Sequence, residues 1–220
     1  MGCDIHAYID YDEFKNKDGK WFATCFAKDV ELGRNYTLFA LMAGVRYDPR
    51  TDRDYAPLFE PRGLPERVSW NVNRAYCLSI TDSKPLEDEE GYCSKEQAER
   101  WTREGSSVWM NDKHTLVSGP DWHSASWLSV SDLERIVDAY QNIKFPERSW
   151  FQLNPPEKQP VPDNATVTQM DARYGVEWYV EAGKPTTAEA PASLRAALEA
   201  MKCLNGDDPS RARLVFWFDN

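Results

Sequence analysis

Gly2-Cys3-Asp4-Ile5-His6-Ala7-Tyr8-Ile9-Asp10 alternates small or apolar residues with polar ones. Side chains on a strand point to opposite faces in turn, so Cys3, Ile5, Ala7 and Ile9 fall on one side and Asp4, His6, Tyr8 and Asp10 on the other. The first set reads as core. The second brings Asp4 and His6 within about 7 Å of each other, at a rise of roughly 3.3 Å per residue, close enough to share a substrate or a metal. Two readings stay open: this face is the floor of a site, or it is the wet side of an antiparallel sheet.

Working outward, Asn16-Lys17-Asp18-Gly19-Lys20 supplies the Asp-Gly of a tight hairpin turn, with Trp21 to Ala27 as the return strand. At the other end, Arg213-Leu214-Val215-Phe216-Trp217-Phe218-Asp219-Asn220 is a mostly apolar strand expected inside the same sheet. Tyr174 to Glu181 alternates as a further late strand. Leu38, Leu41, Met42 and Val45 recur at helical spacing over 36–45. Ser131 and Glu134 form a capping box for a helix over 131–142, and Leu194, Ala197, Leu198 and Met201 stripe a helix over 192–204. The pattern predicts an α+β fold: a mixed or antiparallel sheet with an N-terminal hairpin and a C-terminal strand, completed by the two late strands, with helices packed on it.

A chain of 220 residues suits one domain. Residues from about 73 to 114 read as a polar insertion with one short helix, opened by the capping pair Ser94 and Gln97. Pro65 onwards reads as another short helix, and Pro146 to Pro162 as a loop. A hydrophobic content of 41% with 9 Trp supplies an ample core and excludes a disordered chain. A net charge of -10 opposes direct nucleic-acid binding, which needs a surplus of Lys and Arg. The same charge suits a basic protein partner. The five cysteines are scattered and contain no C-x-x-C pair, so they read as reduced thiols. With no leader pattern and no apolar run near about 18 residues, the chain is expected in the cytoplasm, away from membranes.

The candidate chemistry comes from three separated segments. His6, His123 and Asp4 are candidate catalytic groups for proton transfer. Two histidines with carboxylates also permit a divalent metal, for which His6, Asp4, His123 and Asp121 are the candidate ligands. In Glu60-Pro61-Arg62-Gly63-Leu64-Pro65 the prolines fix the backbone around one Arg whose fork of donors suits a phosphate or carboxylate. Arg62 presented to a ligand and Arg62 paired with an acidic neighbour are both open. Arg34 and Arg46 are further anion-binding candidates, with Ser124 and Ser126 as hydroxyl partners. An extended segment after Gly119-Pro120 would put His123 and Ser124 on opposite faces. No G-x-S-x-G elbow, Walker loop or G-x-G-x-x-G occurs, which removes the familiar hydrolase, triphosphate and dinucleotide signatures.

Six blocks then stand out together: Met1-Gly-Cys-Asp-Ile-His6, Arg34-Asn-Tyr-x-Leu-Phe-Ala40, Ala43-Gly-Val-Arg46, Glu60-Pro-Arg-Gly-Leu-Pro65, His123-Ser-x-Ser-Trp-Leu128 and Val215-Phe-Trp-Phe-Asp-Asn220. As a set this resembles a family of uncharacterised proteins of bacteriophages and bacteria. The resemblance implies a phage or bacterial cytosolic setting and no particular reaction.

Two functions are expected from these residues. In the first, the three segments converge on a pocket for a small phosphorylated or nucleotide-like ligand, with metal-assisted hydrolysis as one reaction it admits. In the second, the chain is a non-enzymatic phage accessory protein that binds a host protein, such as a defence factor, through an acidic, Trp-rich surface. Histidines within reach of one point favour the first, and histidines far apart favour the second.

Overall fold

A computed structural model describes residues 2–12, 23–26, 28–82, 91–152, 160–172 and 175–219. In chain order the elements are β1 (Asp4–Tyr11), β2 (Ala23–Thr24), α1 (Tyr36–Ala43), α2 (Trp70–Tyr76), β3 (Cys77–Thr81), β4 (Tyr92–Ser94), α3 (Lys95–Glu104), β5 (Leu116–Ser118) and β6 (His123–Leu128). They continue as α4 (Val130–Asn142), β7 (Lys144–Phe145), β8 (Arg148–Gln152), β9 (Thr166–Ala172), β10 (Gly175–Ala182), β11 (Thr186–Thr187), α5 (Ala192–Asn205) and β12 (Ala212–Asp219). The fold is α+β. The chain forms two compact units, one of Met1–Asn35, Glu60–Glu134 and Pro191–Asn220, the other of Tyr36–Phe59 and Arg135–Ala190.

The first unit is built on a four-stranded antiparallel sheet in the order β2-β1-β12-β6. β1 pairs along its whole length with β12, from Asp4 opposite Asp219 to Tyr11 opposite Ala212. Residues opposite each other on antiparallel strands share a face, so Ile5, Ala7 and Ile9 lie with Phe218, Phe216 and Leu214, all of them buried. The other face carries His6 beside Trp217 and Tyr8 beside Val215. That face is only partly open to water. Val72 and Tyr76 of α2 cover it, forming a cluster with Val215 and Trp217. The Ile5 face is left to α5, which packs on β1 and β12 and buries Leu194, Ala197, Leu198 and Met201.

The expected hairpin survives as β2, which sets Thr24 opposite Asp10 and Ala23 opposite Tyr11. Its turn at 16–20, and Trp21 and Ala27 of its return strand, lie outside the described residues. Two expectations are corrected. The strand beginning near Tyr174, here β10, does not complete the N-terminal sheet but stands at the centre of a three-stranded antiparallel sheet, β8-β10-β9, in the second unit. β8 in turn lies in the segment read as a loop, where Arg148 to Gln152 is too short and irregular in pattern to announce a strand.

The described residues of the 73–114 segment carry regular elements. It holds most of α2, then β3, β4 and α3, and β3 joins β4 and β5 in a small sheet of order β4-β3-β5. Cys93, Ala98 and Val117 are its buried centre. The capping box that opens α3 is present in both directions: the Ser94 hydroxyl accepts from the Gln97 N–H at 3.2 Å, and the Gln97 side chain accepts from the Ser94 N–H at 2.8 Å. The short helix expected from Pro65 starts instead at Trp70, where Ser69 caps it by accepting from the Val72 N–H at 3.2 Å. None of the five cysteines is in a disulfide. Among the described residues no helix is long and apolar enough to cross a membrane.

Candidate functional site

The sequence-nominated residues do not share one hollow. His6 projects from the Trp217 face of the sheet, because β1 and β12 set those two residues opposite each other. His123 opposes Phe218, which opposes Ile5, so it projects from the other face and stacks on Phe218 with ring centroids 5.8 Å apart. The two histidines stand on opposite sides of one sheet. The reason for the error is a bulge: the β12 to β6 register shifts between Phe216 and Phe218, where Ser124 takes a φ of 50°. That turn of the backbone also lets the Ser124 hydroxyl meet His123 Nδ1 at 3.0 Å, which an unbroken strand forbids.

The charged candidates are engaged in structure. Arg34 grips Asp4 in a two-pronged pair, Nε to Oδ1 at 2.8 Å and Nη2 to Oδ2 at 2.5 Å. The guanidinium hydrogen bond holds the Asp4 carboxyl below its usual pKa. Arg62 realises its paired reading: Nη1 donates to Asp132 Oδ2 at 2.8 Å and to the Trp127 carbonyl at 3.1 Å, while the guanidinium lies 4.9 Å over the Trp127 ring. The Arg62 backbone N–H donates to the fully buried Ser126 hydroxyl at 3.1 Å, so that serine anchors the loop. Asp121 is exposed in the turn before β6. Arg46 belongs to the second unit, at a φ of 63°, with its guanidinium 5.9 Å from the Tyr36 ring. The metal set His6, Asp4, His123 and Asp121 is therefore not assembled, and among the described residues no group of three or more His, Cys, Asp or Glu side chains is placed to hold a metal ion.

One member of the sequence set does border a hollow. His6, Tyr8, Trp70, Arg74, Trp122 and Trp217 surround a space of about 580 Å³ on the α2 side of the sheet. This lies within the range of about 300–1,000 Å³ usual for small-molecule sites. Trp217 is its rigid floor, 1% exposed, with His6 stacked on it at 5.6 Å, Tyr8 stacked at 5.6 Å and Tyr76 edge-on at 5.2 Å. The Trp217 indole N–H is buried and meets no acceptor among the described residues. An unsatisfied buried donor costs about 1–3 kcal/mol.

Each wall has a local cause. Ser69 caps α2, and the four-residue spacing on that helix sets the Arg74 guanidinium 5.1 Å over the ring of Trp70, which stays 66% exposed. Trp122 folds back over Gly119: a Cβ there would sit 2.2 Å from the indole nitrogen, so the turn needs glycine. The indole N–H then donates to the Tyr76 carbonyl at 3.0 Å. His6 turns Nε2 to Asp219 Oδ2 at 3.2 Å, with Asp29 Oδ2 at 3.9 Å from Nδ1. A second hollow of about 300 Å³ adjoins the first, sharing Trp70, Arg74 and Gly91 and bordered by Tyr92, itself 52% exposed.

The sequence reading missed Trp70, Arg74, Trp122 and Trp217 as site residues. The Trp70 and Arg74 pair was visible as an i, i+4 cation and aromatic behind a Ser cap. Trp217 was hidden in an apolar strand, where a core role and a pocket floor look alike. Neither protein-family models, curated proteins nor solved structures match this chain.

Proposed function

We propose that the hollow over Trp217 binds a small, planar, anionic ligand of nucleotide-like chemistry, and that the protein does so in a bacterial or phage-infected cytosol, in keeping with the resemblance of its sequence blocks. The observation that supports this reading is the gathering of four aromatic side chains, His6 and Arg74 around one open hollow. Aromatic faces stack on a base whatever its identity, each contact contributing about 1–3 kcal/mol. Arg74 supplies the fork for a phosphate, and Asn71, which also lines the space, adds amide donors and an acceptor. The role is binding. His6 is held by Asp219, and Asp4 by Arg34.

The test is titration of AMP, GMP, CMP and UMP, read by tryptophan fluorescence and melting temperature. At least one nucleotide is expected to quench the fluorescence and raise the melting temperature. Trp70→Ala and Arg74→Ala should each weaken that binding about tenfold, roughly 1.4 kcal/mol. Absence of any response, or unchanged affinity in both variants, sinks the reading.

A second reading, docking of a host protein, is favoured by one observation: Trp70 and Tyr92 expose large aromatic surface on either side of Arg74, the residue types that dominate interface energetics. Trp70→Ala together with Tyr92→Ala would then abolish capture of that protein while leaving nucleotide titrations flat.

A further inference from the structure

We propose that the second unit carries a separate site for a neutral saccharide, in the polar cleft between the 51–55 loop and the sheet of β8, β9 and β10. It rests on residues distinct from those of the Trp217 hollow. The cleft holds about 480 Å³, again within the range of about 300–1,000 Å³ of small-molecule sites. Its lining carries charges of both signs: Asp52, Asp54 and Glu181 stand with Arg53 and Lys144.

The polar groups are fixed before any ligand arrives. Arg53 donates from Nε to the Arg50 carbonyl at 2.9 Å, pairs through Nη1 with Glu181 at 3.3 Å, and also donates to the Thr168 hydroxyl. Asp52 Oδ2 accepts from the Asp48 N–H at 2.8 Å. Burial pushes the Tyr55 phenol far above its usual range, and burial also raises Tyr179, so both hydroxyls stay neutral donors. Burial likewise raises the Glu181 carboxyl.

The chemistry of the lining selects the ligand by elimination. An anion would face three carboxylates, with Arg53 already committed to one of them. A cation would meet Arg53 and Lys144 beside carboxylates already engaged, Glu181 by Arg53 and Asp52 by the Asp48 N–H. An apolar molecule would strip water from these polar groups without replacing their hydrogen bonds, at roughly 1–3 kcal/mol each. A polyhydroxylated neutral ring avoids these penalties: carboxylates accept from its hydroxyls, Lys144 and Asn164 donate to them, and Tyr55, Tyr179 and Phe145 in the same lining supply aromatic carbon for its C–H groups.

The experiment is a microarray of neutral mono- and oligosaccharides probed with the full chain, followed by calorimetric titration of the strongest hit, with spermidine and inorganic phosphate as charged controls. Asp54→Ala and Asn164→Ala are the variants, both at exposed positions, and Lys144→Gln repeats the test should either melt early. Binding of a neutral saccharide, weakened about tenfold or more in these variants at an unchanged melting temperature, is the expected result. No saccharide above background, saccharide binding indifferent to the variants, or binding of spermidine or phosphate alone would each overturn the proposal.

Discussion

His6 lies nearly parallel to Trp217, ring centroids 5.6 Å apart at 18°, and meets Trp122 edge-on at 4.9 Å. One imidazole thus braces the floor and one wall of the hollow. An aromatic pair of this kind contributes about 0.5–1.5 kcal/mol beyond its buried area. His6→Ala is expected to lower stability by about that amount in urea unfolding and to weaken nucleotide binding. His6→Phe should recover the stability, because the stack returns. Equal stability losses in both variants would mean that the Asp219 hydrogen bond, and not the stack, carries the contribution.

Gly119 decides where Trp122 goes. A methyl at this position would fall 2.2 to 2.6 Å from three indole atoms, so Gly119→Ala must expel the ring and break its hydrogen bond to the Tyr76 carbonyl. The expected outcome is a red-shifted tryptophan emission, a stability loss of about 2 kcal/mol, and a weaker nucleotide response. An unshifted spectrum would show that the turn moves and the ring does not.

The terminal strands were legible because their alternation is long and their faces differ sharply in polarity: Ile5, Ala7 and Ile9 are buried as read. What the alternation could not show is that the polar face is covered by α2, since a Ser69-capped helix of seven residues has too few turns for a periodic signal. The bulge at Ser124 was equally silent, because a left-handed serine has no strong sequence mark, and it turns His123 to the face opposite the one an unbroken β6 would give it. The helix cap at α4 was misplaced by two residues for a similar reason. Ser129-x-x-Asp132 and Ser131-x-x-Glu134 both fit the pattern, and the structure uses the first: the Ser129 hydroxyl accepts from the Asp132 N–H at 3.2 Å, and Asp132 Oδ2 accepts from the Ser129 N–H at 3.1 Å.

Asp132 therefore serves two partners, the helix cap and Arg62. Burial raises its pKa, but the hydrogen bonds from Arg62 and Ser129 outweigh burial and hold the carboxyl below its usual value of 3.8. A depressed folded pKa gives stability that is fully present above the unfolded value and is lost as pH falls through the folded one. Wild-type stability should thus decline below about pH 4 more steeply than that of Asp132→Asn. At pH 7 Asp132→Ala is expected to cost about 1–2 kcal/mol, the range for a lost cap and a partly exposed ion pair. Parallel acid unfolding curves for wild type and Asp132→Asn would refute the linkage.

Asp10 and Arg213 pair across β1 and β12, Oδ2 to Nη2 at 3.5 Å, and Asp10 is fully buried. The same Oδ2 accepts from the Ser69 N–H at 3.0 Å, which ties the sheet to the cap of α2, while Arg213 also donates to the Arg67 carbonyl. Asp10 Oδ1 has no hydrogen-bond partner among the described residues. Burial dominates on both sides: it raises the Asp10 carboxyl and lowers the Arg213 guanidinium, against their mutual attraction. A raised folded pKa gives stability that is complete below the unfolded value and is lost as pH rises through the folded one. The stability advantage of wild type over Asp10→Asn should accordingly shrink as pH climbs from the ordinary carboxylate value of 3.8 to neutrality. Asp10→Ala removes the carboxylate from both Arg213 and the Ser69 N–H and should cost about 3–5 kcal/mol at pH 7. The double variant Asp10→Leu with Arg213→Met removes both charges, so its stability should exceed that of Asp10→Ala. Urea unfolding of the four proteins at pH 4 and pH 7 reads all three expectations, and a double variant less stable than Asp10→Ala would show that the pair contributes more than its burial costs.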